Sequence, residues 1–533
     1  MSMLTVTPKE QVYLAGINIT LDDLLVATNE LGYELDPAVR DDYTKLLGAT
    51  FNALQVVSEM EDYQPTPNLD LAPREEIHFP EKKDNPDNAW GWRFKLKHKN
   101  PSSDLLKDKT ICVKDNICVA GVTCMVGTDS FVDWVPKTDA SIITRMIEAG
   151  ACITGKSVCE NLSVSCSSFS AATGPINNPY AEGYSAGGSS SGTGNLVALN
   201  KVDMGIGCDQ GGSIRIPAGL CGLYGFKATA GLIPYTGIVS NEAIVDYAGP
   251  MTRTCMENAV LLEVLAGVDG LDDRQRAGTP FPKDVPKYSE LLKQSEGIKG
   301  MKIGILKEGV SFSGIDPEVE SKFRAAAAVF SDLGAIVEEV SIPLHSIAPV
   351  VFSAMSKQGS HIGRLGRSTG RRQVMLTDMY EKMLPYTQES IDKMSIVSKA
   401  SQFSGEYSWK KFPHIYAKAV NINRKIAEAY DEALTKYDVL IMPTTITPAD
   451  PLPAPDASPL EKMSKTAGKL ENTCPFNASG HPALAMPIGF VTAKQDKDVR
   501  VPTSLQIVGK NFDEATILKV AYAWECEKDW KKF

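Results

Sequence analysis

From residue 107 onward the chain alternates short β-branched or apolar runs with stretches of helical period. The runs at 111–113, 152–154, 202–207, 302–306, 336–340, 439–442, 483–487 and 504–508 predict strands, each a short apolar segment between polar ones. Residues 141–148 predict a helix. Asp316-Pro317 predicts another, with an acid at the N-cap and proline in the first turn. A last helix is predicted from Asp513, with Ile517, Val520, Ala521 and Trp524 on one face. Strands alternating with helices predict an α/β fold: a three-layer α/β/α sandwich around a central mixed sheet. Residues 345–435 read as largely helical and less patterned, as a lid or a cavity wall would.

The first sixty residues predict helices without strands. Thr7-Pro8-Lys9-Glu10 and Thr20-Leu21-Asp22-Asp23 are N-terminal capping patterns, and Gly32 suits the end of the second helix. Asp36-Pro37 opens a third helix, with Val39, Tyr43, Leu46, Leu47, Phe51, Leu54 and Val57 along one stripe. Residues 64–101 are rich in proline and charge and read as a linker wrapped over the surface. The predicted division is a helical region over 1–64 and a main domain over 65–533.

Composition narrows the function. With 55 Lys and Arg against 65 Asp and Glu, the 533-residue chain carries about ten net negative charges. That balance disfavours nucleic acid and anionic membrane as partners. No apolar run reaches membrane-spanning length, and the N-terminus lacks the basic and apolar regions of a secretory signal. The eleven cysteines include no CxxC pair, and most sit in apolar segments. They predict reduced, structural thiols in a cytoplasmic protein without a metal site.

The candidate chemistry lies in two glycine–serine runs and one lysine. The runs are Gly187-Gly188-Ser189-Ser190-Ser191-Gly192 and Asp209-Gln210-Gly211-Gly212-Ser213; the lysine is Lys114, just after an apolar strand. Glycines at 211 and 212 free the backbone to aim successive N–H groups, from Gln210 through Ser213, at one point. Such a cluster is an oxyanion hole. Ser213 stands where its hydroxyl can attack a carbonyl held there. None of the six histidines lies in a triad context near these runs. A lysine serves as base when burial or cationic neighbours lower its pKa. Ser189 would pass the proton from Ser213 toward Lys114 and return it to the leaving amine. The glycine runs match neither a Walker A nor a GxGxxG phosphate loop. The basic residues Arg364, Arg367, Arg371 and Arg372 read as a solvated face.

These residues resemble the amidase signature family. The resemblance runs from Lys114 through Gly188-Ser189-Ser190 to the stretch Asp209–Ala218, then Cys221-Gly222, Gly225-Phe226-Lys227 and Gly249-Pro250-Met251. Downstream it includes Pro475-Phe476-Asn477, Gly480-His481-Pro482-Ala483 and Leu505-Gln506. The resemblance implies a Ser-Ser-Lys triad: Lys114 as base, Ser189 as bridging serine after a cis peptide bond, Ser213 as nucleophile. Asp209 and Arg215 would hold the loop, with Ser190 and Ser191 hydrogen-bonding near the relay. The chain departs from many members at Ser191, where they carry glycine, and at Ala228, where they carry proline.

The helical N-terminal region and Gln210 are similar to the subgroup that hydrolyses small amides without a cofactor, in which that region helps form a homodimer. The resemblance thus implies hydrolysis of the C–N bond of small amides through a seryl acyl-enzyme. The alternatives are a urethanase acting on carbamates such as ethyl carbamate, an amidotransferase subunit, and an inactive binding protein on the same fold.

Overall fold

In the computed structural model, which describes residues 19–533, the apolar runs fold into one twelve-stranded sheet. In chain order the strands are β1 (Arg74–His78), β2 (Trp90–Leu96), β3 (Thr110–Lys114), β4 (Cys152–Ser157), a separate ribbon of β5 (Asn177–Asn178) and β6 (Ala181–Ser185), then β7 (Met204–Asp209), β8 (Tyr224–Lys227), β9 (Tyr247–Thr252), β10 (Lys302–Leu306), β11 (Ile336–Val340), β12 (Val439–Pro443), β13 (Ala483–Thr492) and β14 (Arg500–Gly509). The order across the sheet is β1-β2-β4-β3-β7-β9-β8-β13-β14-β12-β10-β11. β3 runs parallel to β4 and β7, and β10 parallel to β11 and β12. The remaining pairs are antiparallel, so the sheet is mixed.

The two-residue period of a strand sorts side chains into the layers. Ile111 and Val113 of β3 join the core formed with helices Ser141–Glu148, Cys255–Leu265, Pro317–Asp332 and Glu514–Glu527. Cys112, between them, packs instead with Leu196, Val197 and Ala218 from helices Ser191–Ala198 and Arg215–Leu220. Farther along the sheet, Val439 and Ile441 of β12 face the first core. Leu440 and Met442 face Met355, Tyr430 and Phe476, from helices Ala348–Arg364, Ile415–Lys436 and Cys474–Ser479. Helices therefore cover both faces of the sheet. Each fully buried Leu, Ile or Phe side chain contributes roughly 1.5–3 kcal/mol of transfer free energy.

The reading of 64–101 as a linker is wrong. This stretch supplies β1 and β2, which extend the sheet beyond β4. β2 buries Trp90, Phe94 and Leu96. β1 (Arg-Glu-Glu-Ile-His) is largely exposed at the sheet's edge, where charged residues discourage pairing with another chain. Strands β8 and β9 are also additions to the predicted set; β9 carries Pro250 inside an otherwise apolar strand.

Two compact units divide the chain between Tyr63 and Gln64. In the first, Thr20 and Asp23 form a reciprocal capping box at the start of helix Leu21–Glu30, and Gly32 follows it at φ +64°. Asp36 caps the short turn Pro37–Val39, which leads into helix Arg40–Glu59. The capping pattern at Thr7–Glu10 lies outside the described residues. No helix among the described residues is long and apolar enough to cross a membrane.

Candidate active site

β3 and β7 are parallel neighbours, so their C-terminal ends lie at the same edge of the sheet. That edge is where open α/β sheets place their ligand sites. Lys114 is the last residue of β3, and Asp209 the last of β7. The loop after Asp209 carries Gln210, Gly211, Gly212 and Ser213 into helix Arg215–Leu220. The other glycine–serine run follows β6 and enters helix Ser191–Ala198.

Lys114 is fully buried, and its Nζ donates to Ser189 Oγ at 2.7 Å and to the Cys208 carbonyl at 3.3 Å. It has no acidic partner within 4.0 Å among the described residues; neighbouring Asp115 faces Lys156 instead. Burial raises the Asp115 carboxyl to about 6 despite the Lys156 charge. The peptide bond between Gly188 and Ser189 is cis. Ser190 ties the two glycine–serine runs together: its N–H donates to the Ser213 carbonyl at 3.3 Å, and its Oγ donates to the Cys208 carbonyl at 3.2 Å.

Ser213 is nearly buried, and it opens with Gln210 and Gly211 onto a cavity of about 270 Å³. No hydrogen bond engages its Oγ among the described residues. The structure thus joins Lys114 to Ser189 directly and links Ser213 to that pair through Ser190. The cavity wall includes Val245, Phe352, Val397 and Leu470, with the hydroxyls of Ser353, Ser356, Ser360 and Ser401. Residues 345–435 therefore supply a wall of this cavity.

The predicted oxyanion donors divide into two sets. The Gly212 N–H donates to Asp209 Oδ1 at 2.6 Å and is committed to that contact. The N–H groups of Gln210, Gly211 and Ser213 have no protein acceptor among the described residues. Gly212 adopts φ +138°, and a Cβ there would come within 2.4 Å of Thr473 Oγ1, so this position requires glycine.

Asp209 and Arg215 hold the loop rigid. Arg215 donates to Asp209 through Nε at 3.0 Å and Nη2 at 2.9 Å, with both side chains fully buried. Burial alone would raise the Asp209 carboxyl. The Arg215 charge and hydrogen bonds from Arg215 and Asn477 overcome this and hold it at about 2. Arg215 also reaches Gln506 Oε1 at 2.7 Å and Asn477 Oδ1 at 2.6 Å. These two residues come from the downstream segments that carry the family resemblance.

Sequence reasoning missed Glu160 and misread Arg364. Glu160 lies beneath the serine run. Its carboxylate accepts from Ser191 Oγ at 3.3 Å and from the N–H and Oγ of Ser170, while its own N–H donates to the Ser189 carbonyl at 3.1 Å. Complete burial raises its carboxyl to about 7, against the opposing effect of these hydrogen bonds. Arg364 is not on a solvated face: it is buried, with Nη2 donating to Asn241 Oδ1 at 2.7 Å. Arg371 pairs with Asp273, whereas Arg367 and Arg372 are exposed. Among the described residues, no cluster of three His, Cys, Asp or Glu could hold a metal.

Known proteins share this architecture. The amidase family profile matches residues 93–518. The chain is 35% identical over 448 residues to an enantioselective amidase of Rhodococcus rhodochrous, covering 82% of this chain and 83% of that protein. It is 34% identical to a subunit of the glutamyl-tRNA(Gln) amidotransferase of Exiguobacterium sibiricum, over 78% of this chain and 83% of the other. Among solved structures, the peptide amidase of Stenotrophomonas maltophilia superposes with a TM-score of 0.64 at 26% identity, covering 79% of this chain and 83% of that one. The chain belongs to the amidase signature family, whose chemistry is amide hydrolysis.

Proposed function

We propose that this protein hydrolyses the C–N bond of small amides through a seryl acyl-enzyme, with Ser213 as nucleophile, Ser189 as proton relay and Lys114 as base. The observation that carries this reading is the 2.7 Å contact of Lys114 Nζ with Ser189 Oγ, beside a Ser213 that opens onto a cavity of about 270 Å³. In the first step Ser213 Oγ bonds to the amide carbon, and its proton passes to Ser189 as the Ser189 proton passes to Lys114 Nζ. The carbonyl oxygen, now negative, is met by the N–H groups of Gln210, Gly211 and Ser213. Gly212 instead keeps the loop folded through Asp209.

The relay then runs backward and protonates the leaving nitrogen, which departs as ammonia or an amine. Water attacks the acyl-enzyme through the same relay, releasing the carboxylic acid and restoring Ser213. Asp209 and Arg215 act as positioning residues, as do Ser190 and Ser191. No cofactor is needed for any step.

The test is product release from acetamide, propionamide, benzamide, a peptide amide, ethyl carbamate and glutamine, with Ser213→Ala as the blank. Turnover of simple amides well above the blank is expected. Turnover confined to ethyl carbamate would make the protein a urethanase with the same mechanism. The 34% identity to an amidotransferase subunit supports a second reading, in which glutamine is the amide cleaved. Turnover of glutamine alone would favour it. Wild-type rates no higher than the Ser213→Ala blank on every substrate would overturn the hydrolase reading.

A further inference from the structure

Helix Ala348–Arg364 places Phe352, Ser353, Ser356, Lys357 and Ser360 on the wall of the cavity that Ser213 opens into. Lys357 is the cation on that wall. It makes no hydrogen bond and no ion pair among the described residues, and the charge nearest in effect is the like charge of Arg364, two turns along the same helix. Arg364 makes no ion pair within 4.0 Å among the described residues: its Nη2 is bound to Asn241 and its buried Nη1 has no hydrogen-bond partner.

Neither neighbouring carboxylate comes within 4.0 Å of Lys357 Nζ. Glu471 also lines the cavity; its Oε1 accepts from the Gly468 N–H, and its buried Oε2 has no hydrogen-bond partner among the described residues. Glu242, beside Gly359 of the same helix, accepts from Tyr416 Oη at 2.8 Å. A largely buried ammonium without a carboxylate partner is costly unless a ligand supplies the missing charge.

We propose that Lys357 binds a carboxylate on the acyl portion of the substrate, so that the preferred substrates are half-amides of short dicarboxylic acids. The inference rests on the amide-hydrolase reading of the same site. It also fits the dimensions, because a cavity of about 270 Å³ admits a short acyl chain with its far end against the wall. Hydrolysis of such a substrate consumes one water and yields a dicarboxylate and ammonia. Burial and the Arg364 charge push the Lys357 ammonium pKa down, and a bound carboxylate would restore it.

The experiment measures kcat/KM for succinamate, glutaramate and adipamate beside butyramide, valeramide and hexanamide, in the wild-type chain, Lys357→Met and Lys357→Arg. A charge-assisted contact predicts that the wild type prefers one of the half-amides over its neutral counterpart by roughly ten- to a hundredfold. Lys357→Met is expected to erase that ratio and Lys357→Arg to keep most of it. Because each ratio is taken within one enzyme, a general loss of active protein cancels. Equal or better turnover of the neutral amides by the wild type overturns the inference while leaving the hydrolase reading intact. A half-amide preference that survives in Lys357→Met also overturns it. Absence of turnover for all six substrates, together with silence on the broader amide and carbamate panel, would remove the hydrolase reading and this inference with it.

Discussion

Lys114 and Ser189 share a short hydrogen bond inside a fully buried site, so neither can be altered without changing the other's surroundings. Groups that act as one catalytic unit lose activity together rather than in separate portions. Lys114→Ala and Ser189→Ala are each expected to lower kcat by about three orders of magnitude or more, and the double variant to be scarcely worse than the poorer single one. Steady-state kinetics on the best amide of the panel would show this. Losses that simply multiply in the double variant would mean that the two residues do not form one relay. Melting curves on the same samples separate a chemical defect from an unfolded one. Burial of Lys114 was foreseeable, because the lysine ends an apolar strand. Its contact with Ser189, 75 positions away, was legible through the family resemblance and not through local pattern.

The loop between β7 and helix Arg215–Leu220 depends on a buried ion pair supplied with partners from elsewhere. Asp209 accepts from Gly212, Ile214, Arg215 and Asn477, and Arg215 reaches Gln506 on β14. Removing one charge leaves the other buried without compensation. Arg215→Met is therefore expected to destabilise the fold by roughly 3–5 kcal/mol. Urea denaturation checks this, and a loss below about 1 kcal/mol would show that the pair is dispensable.

Glu160 makes the stability of the fold depend on pH. Its folded-state pKa, about 7, lies above the ordinary glutamate value of 4.5, so the native state holds its proton more tightly than the unfolded chain. The stability it contributes is complete below pH 4.5 and is lost as pH rises toward 7. The full effect is on the order of 3 kcal/mol. Glu160→Gln should flatten that part of the stability profile, as measured by denaturation midpoints from about pH 4.5 to 8. A profile identical to wild type would mean that Glu160 does not titrate there. The sequence offered no signal for this residue, since its partners Ser170 and Ser191 are contacts made by the fold.

At the scale of the whole molecule, legibility followed the hydrophobic pattern. The strands at 302–306 and 439–442 were plain as short apolar runs between polar segments. β1 escaped because an edge strand needs little apolar surface, and β9 because glycine and proline interrupt it. The same pattern marks an unmet demand in the N-terminal unit. Helix Arg40–Glu59 carries its predicted apolar stripe, yet Tyr43, Leu46, Leu54 and Val57 are exposed, the last two by 63% and 66%. An amphipathic helix exists to cover such a stripe, and a run of large apolar side chains left open marks an interaction surface.

A second copy of the chain is the proposed cover, because a twofold pairing lets the same stripe meet itself and bury both faces at once. The wild-type chain is then expected to sediment as a dimer at micromolar concentration, and Leu46→Glu with Leu54→Glu to sediment as a monomer. Both substituted positions are exposed, so the variant should keep its fold and its melting temperature to within a few degrees. A wild-type monomer would remove the pairing altogether, and a dimer indifferent to the two glutamates would place the association surface elsewhere.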